Sequence, residues 1–180
     1  MRAFAILPLL LALTACWGSK DAFYTPDPRA PAPIQPGRYT DPAAPAQVVR
    51  FTRRADGRYI VAEVGKEDKA VPVVFAPLAM PGRKLFVTQA FFDLPQWHST
   101  LYELVEQKPD GTLLLAVLKC EGSERLARQA GATVTSDPQF NGGKPSCLFP
   151  TRAALETAVR AYARAHDPLP AEGTLRRIGA

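Results

Sequence analysis

Residues 101–120 read LYELVEQKPDGTLLLAVLKC, two apolar runs on either side of Pro109-Asp110-Gly111. Asp-Gly between runs of this kind is a strong hairpin signal, because glycine accepts the positive φ that tight turns need. The second run, Thr112–Leu118, is apolar at consecutive positions, which is typical of a strand covered on both faces. The stretch therefore predicts a hairpin whose second strand lies at the centre of a sheet.

A second hairpin is predicted upstream. Val48–Arg53 and Arg58–Val64 flank the turn Ala55-Asp56-Gly57, which repeats the same turn chemistry. Between the two hairpins, Val71–Phe75 and Leu85–Ala90 are apolar runs separated by prolines and a glycine, and both are predicted as strands. Six strands are enough for an antiparallel sheet that curls over one core.

Helical patterns follow the strands. Ser123 is placed to begin a short helix that runs through Gln129. A longer helix is predicted from Arg152 to about Ala165, with Thr151 as its N-cap and an apolar stripe along one side. The expected fold is mainly β with α (α+β): a single antiparallel curled sheet or partial barrel of about six strands, with the C-terminal helix packed on it.

The chain begins with a pattern typical of secretion. Arg2 supplies a positive charge, residues 3–12 form a leucine-rich apolar run, and the small residues Thr14 and Ala15 follow. Such a run is too short to span a bilayer as a stable helix. The pattern indicates a signal peptide, residues 1–15, that is removed on export.

The end of this segment, Leu13-Thr14-Ala15-Cys16, resembles the lipobox of bacterial lipoproteins. The resemblance implies diacylglycerol on the Cys16 sulfur, cleavage before Cys16, and acylation of the new amino terminus with a fatty acid such as palmitate. Two or three acyl chains hold a protein on a membrane. Because Trp17 rather than aspartate follows the cysteine, the resemblance also implies a cell-envelope protein on the outer membrane, facing the periplasm. The alternative is an ordinary signal peptide with a cysteine after Ala15 by chance.

The cysteine count agrees with export. With Cys16 modified by lipid, Cys120 and Cys147 remain, in a compartment that permits disulfides. We expect them to form a structural disulfide, worth about 3 to 4 kcal/mol in the chain-entropy model. Two free buried thiols or a catalytic cysteine are the alternatives.

The domain organisation follows from these segments. Residues 16–46 hold the lipidated cysteine and a proline-rich stretch that we interpret as a tether lifting the domain off the bilayer. Residues 47–167 form a single β-rich domain with a C-terminal helix. Residues 168–180 are expected to be an irregular tail.

Charge and motifs exclude several function classes. The net charge of +5 falls to +4 without Arg2, and the basic residues are scattered, so no nucleic-acid partner is expected. The sequence contains no nucleophile elbow, paired-histidine zinc motif or phosphate-binding glycine loop. We therefore expect no catalytic residues, no metal site and no cofactor, and a protein that is not an enzyme.

Residues 90–98 form the candidate binding loop, which places Phe91, Phe92, Leu94 and Trp97 around a proline. If exposed, these side chains would anchor a partner protein or a membrane face; otherwise the loop folds back as a lid on the sheet's open end.

Two function hypotheses follow, with a third behind them. The first is a non-catalytic, lipid-anchored envelope protein that contacts the membrane through its anchor and binds or scaffolds another envelope component. The second is a small β-barrel-like carrier of an apolar ligand such as a lipid, with an internal cavity of roughly several hundred Å³. A hydrolytic enzyme is the third.

Overall fold

The computed structural model describes residues 17–94, 97–136 and 143–179, with side chains described in these ranges except for 91–94 and 97–99. The described strands are β1 (Trp17–Ser19), β2 (Gly37–Asp41), β3 (Ala44–Arg53), β4 (Tyr59–Glu63), β5 (Val71–Met80), β6 (Arg83–Leu94), β7 (Trp97–Gln107), β8 (Leu113–Val117), β9 (Thr133–Ser136), β10 (Pro145–Leu148) and β11 (Gly173–Ile178). The described helices are α1 (Glu124–Gln129), α2 (Arg152–Ala165) and a 3₁₀ turn at Glu67–Lys69.

Eight strands form a closed antiparallel β-barrel. Their order around the barrel is β2-β3-β4-β5-β6-β7-β8-β11, and β6 also pairs with β7. The ring closes because β11 pairs with β8 through Gly173–Leu175 and with β2 through Arg176–Ile178. Both expected Asp-Gly turns are present, with φ of +89° at Gly57 and +83° at Gly111. From β2 to β8, consecutive strands are neighbours in the barrel, as in a meander. The connection from β8 to β11 is long because it contains α1, β9, β10 and α2.

The prediction of a partial barrel or open curled sheet of about six strands is wrong. The six predicted strands are present as β3 to β8, but β2 and β11 close the sheet into a barrel. Each of these short strands places few apolar side chains in the barrel, Tyr39 from β2 and Leu175 from β11. β2 also pairs with its neighbour β3, but β11 pairs with β2 and β8 through backbone groups far apart in the chain, which leaves little pattern in the sequence.

The longer helix was predicted correctly. α2 spans Arg152–Ala165, and the Thr151 side chain accepts a hydrogen bond from the Ala154 backbone N–H at 3.2 Å. Its buried residues are Leu155, Ala158, Val159 and Ala163. The guanidinium of Arg83 donates to the Ala163 carbonyl at 2.7 Å and to the Glu106 carboxylate at 2.6 Å, which fixes the end of α2 to the β6–β7 hairpin.

Three extra strands and the two helices cover one outer side of the barrel. β1 pairs antiparallel with β7, β10 pairs parallel with β1, and β9 pairs antiparallel with β10. One apolar cluster lies between this layer and the barrel wall, and a second fills the barrel interior. β8 contributes Leu113 to the inner cluster and Ala116 to the outer one, as expected of a strand covered on both faces.

The stretch interpreted as a tether is packed on the barrel from its first described residue. Trp17 is fully buried, and its indole N–H donates to the Lys119 carbonyl at 3.1 Å and to Ser123 Oγ at 3.0 Å. The buried Gln89 side chain accepts from the backbone N–H groups of Phe23 and Tyr24 at 2.7 and 2.9 Å. Prolines lack the donors that sheets need, but here side chains of the barrel satisfy the backbone instead.

The last segment also differs from expectation. Residues 168–180 were expected to be an irregular tail, but Gly173–Ile178 is β11, the strand that closes the barrel. Because β11 pairs on both sides, this part of the chain belongs to the folded domain.

Cys120 and Cys147 lie at disulfide distance, with their Cα atoms 5.3 Å apart. Cys120 follows β8 and Cys147 lies in β10, so the bond ties the outer layer to the barrel wall. Neither described helix is long and apolar enough to cross a membrane.

Candidate functional site

The two ends of the barrel differ, and one is closed by the proline-rich segment. Ile34 is fully buried in the inner cluster, and its carbonyl accepts a hydrogen bond from the Tyr59 hydroxyl. The Tyr39 hydroxyl donates to the Gln35 carbonyl at 2.8 Å. Arg53 donates to the Ala30 carbonyl at 2.6 Å and holds the preceding residues against the same end. The segment is therefore a plug across the barrel.

A cavity of about 60 Å³ lies in the other half of the barrel, where β4 ends. Seven of the eight barrel strands line it, with apolar side chains that include Val49, Phe51, Val73, Phe75, Val105 and Leu175. A water molecule needs about 10–15 Å³, so the cavity exceeds a water site. The several hundred Å³ predicted for a carrier of an apolar ligand such as a lipid is therefore wrong. The space suits a narrow apolar group.

Two polar side chains lie side by side in this apolar lining. Thr88 on β6 and Glu103 on β7 are directly opposite each other in the register of the two strands, and both line the cavity. Thr88 is only 4% exposed. Neither side chain makes a hydrogen bond to another residue in the described part of the chain. In the described part of the chain, Gln107 Oε1 is the only buried side-chain N or O atom without a hydrogen-bond partner, so the polar atoms of Thr88 and Glu103 are not sealed from solvent. They are available to a group that enters the cavity.

Burial raises the pKa of the Glu103 carboxyl to about 7, and the nearby carboxylate of Glu172 adds to the rise. An apolar environment disfavours the charged form, and a second negative charge disfavours it further. Near neutral pH the group is therefore balanced between its protonated and ionised states. Perturbed groups of this kind in a cavity are candidates for functional sites.

One further acid lines the cavity and another lies near Glu103, and each has a lysine partner. Glu63 lines the cavity and accepts from Lys66 Nζ at 2.8 Å. Glu172 forms an ion pair with Lys119. Among the described residues, Glu103 has no such cationic partner. The cavity thus holds one uncompensated carboxyl group.

The candidate binding loop belongs largely to a β-hairpin. Phe91, Phe92 and Leu94 are the last part of β6, and Trp97 begins β7, with Leu94 and Trp97 paired in the backbone. The turn residues 95–96 and the side chains of 91–94 and 97–99 lie outside the described part. A binding surface there stays a prediction. The hairpin continues from Ala90, which lines the cavity, so it extends at the cavity end.

Cys16, the predicted lipidation site, lies outside the described residues. In the described ranges no group of three or more His, Cys, Asp or Glu side chains is arranged to hold a metal ion.

Sequence reasoning missed Thr88 and Glu103. The available signal was a lone acid between apolar residues in the strand Leu101–Val105. The sequence did not show which face of that strand lines a closed barrel.

Together the observations define a class: a small closed antiparallel β-barrel, plugged at one end, with an apolar cavity at the other. No protein-family model, curated protein or solved structure matches the chain.

Proposed function

We propose that this protein binds a narrow apolar ligand, such as an alkyl chain, inside the barrel. The observation that carries the proposal is the apolar cavity in the unplugged half of the barrel. Eight-stranded barrels have interiors that either fill with side chains or hold one small ligand. Here the plug at Ile34 closes one end, so a ligand would enter beside β4 and the β6–β7 hairpin.

The size of the cavity limits the ligand. Each methylene transferred from water into an apolar site contributes about 0.8 kcal/mol. A cavity of about 60 Å³ accommodates part of a single chain, and association itself costs several kcal/mol. We therefore expect weak binding from the apolar chain alone, with a polar contact needed for higher affinity.

The lipoprotein resemblance of Leu13–Cys16 supports a location where such ligands are abundant. As part of the proposal, acyl chains on Cys16 anchor the protein to the outer membrane of a bacterial envelope. Because Trp17 is buried in the fold, the anchor would hold the barrel close to the bilayer with no spacer. The scaffolding hypothesis rests on side chains of residues 91–99, and no contact of a described residue favours it.

Calorimetric titration of the purified full chain with 1-octanol tests the binding proposal. We expect saturable binding of one molecule. Ala90→Leu adds a larger side chain at a position that lines the cavity, and it should abolish binding. Ala79→Leu makes the same change at an exposed position of β5 and should leave binding intact. Absence of binding to the unaltered protein, or equal binding by a folded Ala90→Leu variant, would refute the proposal.

Membrane fractionation tests the anchor separately. Cys16→Ser should release the protein from the membrane fraction. Retention of that variant on the membrane would exclude anchoring through Cys16.

A further inference from the structure

The uncompensated carboxyl group suggests which polar group a ligand carries. Glu63 and Glu103 line the cavity, and Glu172 lies close enough to Glu103 to raise the pKa of its carboxyl. Lysines compensate two of them, Lys66 and Lys119. Glu103 faces the cavity itself, where a ligand would be in direct contact with it.

We propose that Glu103 and Thr88 form a head-group site that binds the primary ammonium group of an alkylamine, whose chain occupies the cavity. This inference rests on the proposed function and names the ligand class for the same cavity.

The chemistry of the two side chains favours an ammonium group. An ammonium has three donors and no acceptor, whereas an ionised carboxylate only accepts, and the Thr88 hydroxyl has free acceptor lone pairs. One ammonium can donate to both residues, which lie opposite each other on β6 and β7. Thr88, at 4% exposed, has no other hydrogen-bond partner in the described part of the chain.

Other head groups fit less well. A ligand carboxylate would be repelled by the Glu103 carboxylate, which has no cationic partner among the described residues. A neutral hydroxyl would bring no counter-charge to the partly buried Glu103, whose ionised form the apolar surroundings disfavour. A charge-assisted hydrogen bond is about twice as strong as a neutral one.

Binding should depend on pH through Glu103. The charged group near it is Glu172, paired with Lys119, and Glu63, paired with Lys66, lines the same cavity. Thr88 and Val117, its opposite neighbours in the sheet, do not titrate. Burial raises the pKa of Glu103 to about 7, so the carboxyl must lose its proton before it can pair with an ammonium. Affinity for an alkylamine should fall about 30-fold between pH 8.5 and pH 5.5. Affinity for the matching alcohol should not fall.

Titration of the purified full chain with 1-octylamine, 1-octanol and octanoate tests the inference. At pH 8.5 we expect octylamine to bind at least about tenfold more tightly than octanol, and octanoate to bind least. Glu103→Gln should reduce octylamine binding to the octanol level, while octanol binding changes by less than about twofold. Thr88→Val, of similar shape, should weaken octylamine binding by a smaller factor. Glu121→Gln removes one exposed negative charge elsewhere and is the control.

The outcomes separate this inference from the proposed function. If octanol binds in the cavity but octylamine binds no more tightly, or if Glu103→Gln leaves octylamine binding unchanged, the head-group site is wrong and the apolar site stands. If none of the three ligands binds, the proposed function fails, and the head-group site fails with it.

Discussion

Replacement of Glu103 by glutamine should stabilise the protein at high pH and leave it unchanged at low pH. Glutamine resembles the neutral carboxyl in shape but cannot ionise. In the unfolded chain Glu103 titrates near its ordinary value of 4.5, whereas burial in the barrel raises its pKa to about 7. The folded state therefore holds the proton more tightly than the unfolded state, and ionisation opposes folding.

The size of this stabilisation follows from the pKa values of Glu103 in the unfolded and folded states. Each pH unit between 4.5 and about 7 is worth about 1.36 kcal/mol, which sets an upper limit of about 3 kcal/mol. Glu103 is partly rather than fully buried, and solvent in the cavity reduces the penalty. We expect Glu103→Gln to raise the free energy of unfolding by about 2 kcal/mol above pH 8.

Urea titrations of both proteins between pH 4 and pH 9 provide the measurement. The difference in the free energy of unfolding between the variant and the unaltered protein should be close to zero below pH 4.5. It should grow between pH 4.5 and 7 and stay constant above pH 7. Because both chains share every other titrating group, the difference isolates Glu103. A difference that does not change with pH would refute the placement of Glu103 in an apolar cavity.

Three further predictions concern the parts that hold the barrel together. Trp17→Ala removes an indole whose ring centroid lies 5.0 Å from that of Phe149. It should lower the free energy of unfolding by about 4 kcal/mol in urea titrations, and a loss below about 1 kcal/mol would contradict the burial of this indole in the outer cluster. Ile34→Ala should cost about 3 kcal/mol and Ile34→Val about 1 kcal/mol; equal, negligible losses would mean that the plug does not close the barrel. Reduction of the Cys120–Cys147 bond should lower the free energy of unfolding by about 3.5 kcal/mol, which dithiothreitol should reveal as a lower urea midpoint. An unchanged midpoint would contradict a stabilising disulfide.

Local signals in the sequence were sufficient for β3 to β8 and for α2. Asp-Gly turns, runs of β-forming residues and the Thr151 cap are all encoded within a few residues of the elements they define. Barrel closure is different, because it depends on β11 meeting β2. β11 contributes Leu175 to the core but carries Arg176 and Arg177 beside it, so its composition resembles that of a loop.

The plug was misjudged for a related reason. Prolines are frequent in residues 16–46, and that composition favoured a semi-rigid tether, but the segment contributes β1, β2 and the start of β3. The hydrogen bonds that hold the segment come from distant side chains, Gln89 and Arg53. No pattern within the segment itself reveals those partners.

The candidate site, too, was only partly predictable from local sequence signals. Glu103 is visible in the sequence as an acid within an apolar strand, but its environment depends on closure of the barrel. Thr88 gives no signal at all, since threonine is common in strands. Their juxtaposition comes from the register of β6 and β7, which side-chain alternation alone does not fix across a long hairpin.

The most direct test of the central claim is a methyl NMR titration of the protein with 1-octanol. We predict saturable chemical-shift changes for methyl groups in the barrel interior, on Val73, Val105 and Leu175, and unchanged shifts for Leu104 and Leu155 in the outer cluster. Changes confined to the outer cluster, or no saturable change in either cluster, would contradict a ligand site inside the barrel.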